Sequence, residues 1–247
     1  MCTVTYIPKE KSGYILTSNR DEKVERPSAL LPEAKIVDNQ TLLFPIDALH
    51  SGTWIASSDT GRTLCLLNGG FKKHIPDQSY KKSRGLVVID AFKYLDAQDF
   101  ILRYDLSGIE PFTLIFIDQM KLFEIRWDGQ KSYIKKLNEL KPYIWSSVTL
   151  YSEEVIQQRK KWFENWLSIS KEFSVDSCLN FHQLAGEGDL ENRITMNRND
   201  ILKTVSITSV HSCGSKLAMQ YLDLKSGQKS NTELNLKLKR ANESVPS

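Results

Sequence analysis

Close to its start the chain carries Thr3-Val4-Thr5-Tyr6-Ile7, a β-branched and aromatic run, then Lys11-Ser12-Gly13, then Tyr14-Ile15-Leu16-Thr17 leading into Ser18-Asn19-Arg20-Asp21-Glu22. The two apolar runs predict strands and the glycine-containing stretch between them supplies a turn, so the N-terminus is expected to be a β-hairpin. Working outward, the same grammar recurs. Thr53 to Ser57 and Thr63 to Leu67 flank Asp59-Thr60-Gly61. Phe112 to Ile117 and Leu122 to Trp127 turn around Asp118-Gln119-Met120, and Asp128-Gly129 leads into Ser132 to Leu137. Ser206 to Val210 and Lys216 to Leu222 read as extended, and Leu234, Leu236 and Leu238 alternate with polar residues like a half-exposed edge strand. Helical spacing falls between these groups. Arg84 to Leu95 and Ala97 to Tyr104 predict two short helices. From Ser152, an N-cap with Glu153 and Glu154 in the first turn, a longer helix carries Val155, Trp162, Phe163, Trp166 and Leu167 on one stripe. Antiparallel strand groups interrupted by amphipathic helices give an α+β layered sandwich rather than a parallel βαβ sheet.

With 247 residues, no internal repeat and no Pro/Gly/Ser linker, the chain reads as one domain over residues 1–225, followed by an edge strand and polar tail over 226–247. Its 33 basic and 30 acidic residues leave a net charge of +3. The basic pairs are scattered, which argues against a nucleic-acid partner. No stretch approaches the ~20 apolar residues of a membrane-spanning helix. The first residues lack a basic leader with an apolar core, so a cytoplasmic location is expected. No GxGxxG or Walker-type loop points to a nucleotide. The four cysteines, Cys2, Cys65, Cys178 and Cys213, form no CxxC pair and the four histidines no HxxxH, so neither a metal nor another cofactor is expected. Cys65, Cys178 and Cys213 are read as packing residues.

Cys2 differs from these. Removal of Met1 leaves its thiol and a free α-amine on one residue. An α-amine titrates near ~7.7–8.0 and a thiol near ~8.5, so the amine can take the thiol's proton without a histidine. Arg20 and Asp21 follow at the end of the paired strand, the cation suited to favour thiolate and the carboxylate to hold the amine. Leu66-Leu67-Asn68-Gly69-Gly70 ends a strand in an amide next to two glycines, a suitable donor to a developing oxyanion. Each element also has a plain reading: a buried strand start, a polar turn, an Asn-Gly hairpin.

Met1-Cys2-Thr3-Val4, Ser18-Asn19-Arg20-Asp21-Glu22 with Arg26-Pro27, Gly52-Thr53-Trp54-Ile55 and Ser83-Arg84-Gly85-Leu86 together resemble the NRDE family, the family of transport and Golgi organisation protein 2. The second half, including Trp145-Ser146-Ser147, is similar to bacterial members. The resemblance implies an N-terminal-nucleophile hydrolase fold, a four-layer αββα sandwich. More distantly the family is similar to choloylglycine hydrolases and related acyltransferases, which cut or form amide bonds with an N-terminal cysteine. Carried over by residue, Cys2 matches the nucleophile, Asp21 the acid, Asn19 the motif asparagine and Asn68 the later asparagine. The arginine that precedes the motif asparagine in those enzymes is Ser18 here, with Arg20 lying between Asn19 and Asp21. A second, late arginine has no counterpart in Thr204 to Ser209.

Two functions follow as expectations. One is an N-terminal cysteine hydrolase acting on a small acylated, C–N linked substrate through Cys2, Asn19, Arg20, Asp21 and Asn68. The other is a noncatalytic family member binding or trafficking a hydrophobic small molecule, an acyl lipid or haem. The partner in either case is a small molecule. The lysines at 72, 73, 81 and 82 against Asp77 hint at an anionic substrate end.

Overall fold

The computed structural model describes residues 3–9, 13–75 and 80–237. In chain order the first half holds β1 (Thr3–Lys9), β2 (Gly13–Lys23), β3 (Leu30–Val37), β4 (Gln40–Ile46), β5 (Ile55–Ser58) and β6 (Thr63–Asn68). Two short helices follow, α1 (Arg84–Asp90) and α2 (Ala97–Arg103), joined through a 3-10 turn at Ala91–Lys93. Next come β7 (Phe112–Asp118), β8 (Lys121–Trp127), β9 (Ser132–Leu137) and β10 (Tyr143–Ser146), then α3 (Glu153–Ile169) and α4 (Val175–Leu184). The described chain closes with β11 (Asn197–Arg198), β12 (Leu202–Cys213), β13 (Lys216–Asp223) and β14 (Lys229–Asn235).

These strands form two antiparallel sheets, one ordered β10-β1-β2-β12-β13-β14 with β11 beside β12, the other ordered β3-β4-β5-β6-β7-β8-β9. Period-two alternation explains the layering. Val4, Tyr6, Tyr14 and Leu16 of the first sheet meet Leu43, Cys65, Leu67 and Ile115 of the second in the central core. The opposite face of the first sheet sends Ile7 and Ile15 against Phe163 of α3 and Phe181 of α4. The opposite face of the second sends Leu64, Leu66 and Phe112 against Val87, Val88 and Phe100 of α1 and α2. The order is therefore helices, sheet, sheet, helices: an αββα sandwich. Because both faces of β1, β2, β6 and β7 are covered, these strands read as continuous buried runs rather than as alternating ones. The Tyr14 hydroxyl, donating to Thr63 Oγ1 at 2.7 Å, ties the two sheets across the core.

Several sequence expectations need correction. The helix expected over Arg84 to Leu95 stops at Asp90; the chain then tightens and turns, Leu95 is 80% exposed, and Asp96 caps a new helix with its side chain. The β3–β4 hairpin escapes the pattern because β3 is an edge strand whose outward residues are Pro32-interrupted and charged. Its turn, Asp38-Asn39, has positive φ at both residues (46° and 64°), the geometry of a two-residue hairpin. Cys213 is exposed at the β12–β13 turn and is not a packing residue, whereas Cys65 and Cys178 are buried. Leu238 lies outside the described residues. Trp162 and Trp166 are partly buried against the α3–α4 cluster, as helical spacing suggests.

The helix α4 was not anticipated, although its signals are present: Val175, Cys178, Phe181 and His182 recur at helical spacing behind a reciprocal Ser174–Ser177 capping box. Replacing Ser174 with Ala is expected to cost about 1 kcal/mol, read as a lower denaturant midpoint with an unchanged m-value.

Candidate active site

The segment Asn19-Arg20-Asp21-Glu22 ends β2, and strand alternation divides its side chains between two faces. Asn19 and Asp21 point towards the α3–α4 layer. Asn19 is fully buried; its Nδ2 donates to the Ile194 carbonyl at 2.9 Å and the His182 carbonyl at 3.3 Å. Its Oδ1 is thereby left as an acceptor for His182 Nδ1 at 2.6 Å. That fixes the histidine tautomer: Nδ1 carries the proton, and Nε2 accepts from the Thr5 hydroxyl at 2.7 Å. Burial first, and the Arg159 charge second, push the His182 pKa down to about 3, so the ring is held neutral. Asp21 is also buried. Thr204 Oγ1 donates to Asp21 Oδ1 at 2.5 Å and the Tyr151 hydroxyl to Oδ2. A register shift in β12 aligns Thr204 with Asp21 but Ser206 with Arg20, so an extra residue, Val205, aims the Thr204 hydroxyl at the carboxylate.

Arg20 and Glu22 take the other face and border a cleft of about 410 Å³ at the end of the sandwich. Arg20 is 4% exposed; its Nη2 donates to Asp47 Oδ2 at 2.7 Å and its guanidinium lies 4.8 Å from the centre of the Trp54 ring. Arg26 Nη2 reaches the same Asp47 oxygen at 2.9 Å. Asp47 in turn accepts from the backbone N–H groups of Leu49 and His50 and so shapes its own loop. Burial alone would raise the Asp47 carboxyl, but Arg26, Arg20 and the His50 N–H outweigh it and bring it down to about 2.

Asn68 ends β6 on the cleft side, sharing a face with Leu66, while Cys65 and Leu67 face the central core. Its carbonyl accepts from Ser147 Oγ at 2.9 Å, and its side-chain amide has no hydrogen-bond partner among the described residues. On the far wall, Gly52 packs directly against Gly85 at the start of α1: a Cβ on Gly52 would lie 2.6 Å from the Gly85 carbonyl carbon. The Thr53 N–H donates to the Gly85 carbonyl at 3.1 Å across the same seam.

The structure thus brings Arg20 and Asn68 to one cleft and turns Asn19 and Asp21 into the adjoining helical layer. Cys2 lies outside the described residues. The first described residue of β1, Thr3, pairs with Asn19 on one side and Ser146 on the other. Of the four lysines read as a possible anion site, Lys82 alone borders the cleft, and it is paired to Asp90 at 2.7 Å. Asp77 lies outside the described residues. Among the described residues no three His, Cys, Asp or Glu side chains gather as a metal site, and no helix is long and apolar enough to cross a membrane.

A family model, Transport and Golgi organisation 2, matches residues 1–231. The chain belongs to that family. Among solved structures, a variant of conjugated bile acid hydrolase from Clostridium perfringens is similar with a TM-score of 0.51 and 8% identity, over 99% of this chain and all of that one. A Caenorhabditis elegans ortholog of N-acylethanolamine-hydrolyzing acid amidase is similar with a TM-score of 0.50 and 13% identity, over 84% of this chain and 92% of that one. No curated protein matches by sequence. At these identities the likeness establishes the fold, that of N-terminal-nucleophile hydrolases, and agrees with the layers described above.

Four residues around the candidate site were not singled out from the sequence. Asp47 and Tyr151 hold Arg20 and Asp21, but both are distant in sequence from the motif they serve. His182 and Arg159 lie on helices, where a polar residue inside an apolar stripe was the available signal. Arg159 is fully buried in the middle of the α3 stripe.

Proposed function

We propose that the protein is an amide-bond hydrolase that uses Cys2 as an N-terminal nucleophile on a small acylated substrate. The reading is carried by one observation: Arg20 and Asn68, from separate sheets, line a single cleft beside the strand end that continues from the chain start. In this mechanism Met1 is removed and the free α-amine accepts the Cys2 proton. The thiolate attacks the acyl carbon, and Asn68 donates to the oxyanion. The amine then passes its proton to the nitrogen as the C–N bond breaks. Water hydrolyses the resulting thioester and frees the acid. Arg20, held by Asp47 and stacked on Trp54, supplies a fixed positive charge at the cleft wall. Asn19 and Asp21 serve from the layer behind, Asp21 as the acid that orients the amine.

A carrier of an apolar molecule would need an apolar cavity. The cleft is walled instead by Arg20, Glu22, Arg26, Asp47, Arg84 and Glu110, which favours the enzymatic reading. The test begins with the intact mass of protein purified from cells: retained Met1 ends the mechanism. Processed protein is then offered a panel of N-acyl amines and amino acids. Acid and amine should appear together, with a thioester trapped on the N-terminal peptide, and Cys2→Ala should abolish both. A panel left uncleaved by protein that binds its members equally well with Ala at position 2 would establish the carrier reading instead.

A further inference from the structure

The turn that carries the chain out of β6 has a second side. Leu66 and Asn68 line the Arg20 cleft, whereas Leu67 and Phe71 line a separate cavity of about 300 Å³. Its other walls include Glu124 and Arg126 of β8, Trp145 of β10, and Ile156 and Lys160 of α3. A neighbouring hollow shares Phe71, Val148, Glu153 and Ile156 with this cavity and adds Lys72 and Lys73, so the two adjoin as one groove along the first half of α3. Lys72 and Lys73, which do not border the Arg20 cleft, border this groove instead. Main chain fixes its wall. Gly69 has a φ of 86°, and a Cβ there would lie 2.6 Å from Val148 Cγ2; one on Gly70 would lie 2.6 Å from the Trp127 carbonyl oxygen. The Gly70 carbonyl also accepts from Arg126 Nη1 at 3.0 Å, which clamps the turn and leaves the groove preformed.

Donors and acceptors are unbalanced in this groove. Glu124 is engaged at both oxygens: Oε1 accepts from Arg126 Nε at 2.9 Å and Oε2 from the Trp145 indole N–H at 2.6 Å. Glu153, exposed at the mouth, accepts from Gln157 Nε2 at 2.6 Å. Arg126, held by these bonds with its guanidinium 5.0 Å from the centre of the Phe71 ring, keeps Nη2 unspent among the described residues. Lys72, Lys73 and Lys160 have no hydrogen-bond or ion-pair partner among the described residues. Four cations thus face two acids that are already engaged. Unspent charged donors beside the apolar surfaces of Leu67, Phe71, Val148 and Ile156 suit a ligand with an apolar body and an anionic group. We propose that this groove binds a small carboxylate carried on an apolar body, with Arg126 and Lys160 receiving the carboxylate and Phe71, Val148 and Ile156 packing the body. At ~30 Å³ for each water-sized group the cavity of about 300 Å³ holds about ten non-hydrogen atoms, the size of an arylalkanoic acid. The site goes beyond the hydrolase reading, and nothing in it depends on Cys2.

The experiment is a ligand-observed NMR titration of the full chain at neutral pH with phenylacetate and phenylpropionate, each compared with the corresponding alcohol. The acids are expected to bind about tenfold or more tightly than the alcohols, which cannot form the charge-assisted bonds. Lys160→Met keeps the apolar stem and removes a charge that no described residue pairs, so the fold is retained; affinity for the acids should fall about tenfold while that for the alcohols stays the same. Ile156→Trp, which fills the groove, should abolish binding of both. Lys82→Met, at the Arg20 cleft, should change neither. Alcohols that bind as tightly as their acids, native affinity in Lys160→Met or in Ile156→Trp, or a loss that follows Lys82→Met in place of Lys160→Met each overturn the inference, and so does a failure of both acids to bind. Lys160→Met carries the test should Ile156→Trp not fold. None of these results touches the hydrolase reading, and retention of Met1, which ends that reading, leaves this site unaffected.

Discussion

Asp47→Ala is expected to lower the unfolding free energy by about 3 kcal/mol, because it strips a buried guanidinium of its counter-ion while leaving the guanidinium in place. Among the described residues Arg20 would keep only Glu22 at 3.9 Å and the face of Trp54. Arg26, 24% exposed at its side chain, can turn to water and to Glu22 at 3.2 Å, so the larger share of the loss belongs to Arg20. The loop that follows would also lose the two backbone bonds to Asp47 Oδ1. The pH dependence identifies the cause. The folded-state pKa of Asp47, about 2, lies below the ordinary 3.8 of a free aspartate, so its contribution is fully present above the unfolded value and lost as pH falls through the folded one. The stability gap between native protein and variant should therefore be constant above about pH 5 and narrow between about pH 4 and pH 2. Urea titrations at stepped pH measure it; a gap that persists unchanged at pH 2 would assign the loss to packing instead.

His182 predicts an opposite kind of experiment, in which the native protein changes more with pH than the variant does. The folded-state pKa of about 3 lies below the 6.5 of a free histidine, so the unfolded chain binds a proton that the native state refuses. Stability is complete above the unfolded value and declines as pH falls from about 6.5 towards 3. Each unit of displacement is worth about 1.4 kcal/mol, which makes the total loss a few kcal/mol. His211, also lowered by burial and then by Lys9, adds to the same slope. His182→Gln should be less stable at pH 7, since Thr5 and Asn19 lose their shared partner, yet its stability should fall less steeply between pH 6.5 and 4. An equal slope in the variant would remove His182 as the acid-sensitive group.

The sequence disclosed the hairpins whose strands carry β-branched runs and glycine turns, and it disclosed α3 through Ser152 and two acids in its first turn. It hid β3 because an edge strand with Pro32 and outward charges carries no alternation. It hid α4 because one position of its buried stripe is the polar His182, which counts as apolar only once burial has made it neutral. For the site, the order Asn19, Arg20, Asp21, Asn68 was legible, but not its division: that Asn19 and Asp21 serve one layer while Arg20 and Asn68 serve a cleft follows from the pleat of β2 and from the end of β6. Arg159, Asp47 and Tyr151 could not be attached to those residues from spacing, since the contacts that give them meaning are made across the sheets by residues distant along the chain.

The seam between Gly52 and Gly85 has a mechanical consequence. Where main chain rests on main chain with no side chain between, there is nothing soft to compress and no rotamer to turn aside. The loop after Asp47 and the first turn of α1 therefore behave as one stiff plate, and the cleft cannot widen along that wall by flexing there. A molecule that enters is sorted by its dimensions against a rigid gauge, and any adaptation to a larger one has to come from the opposite side, where the partly exposed Arg26 and Glu22 carry the movable parts.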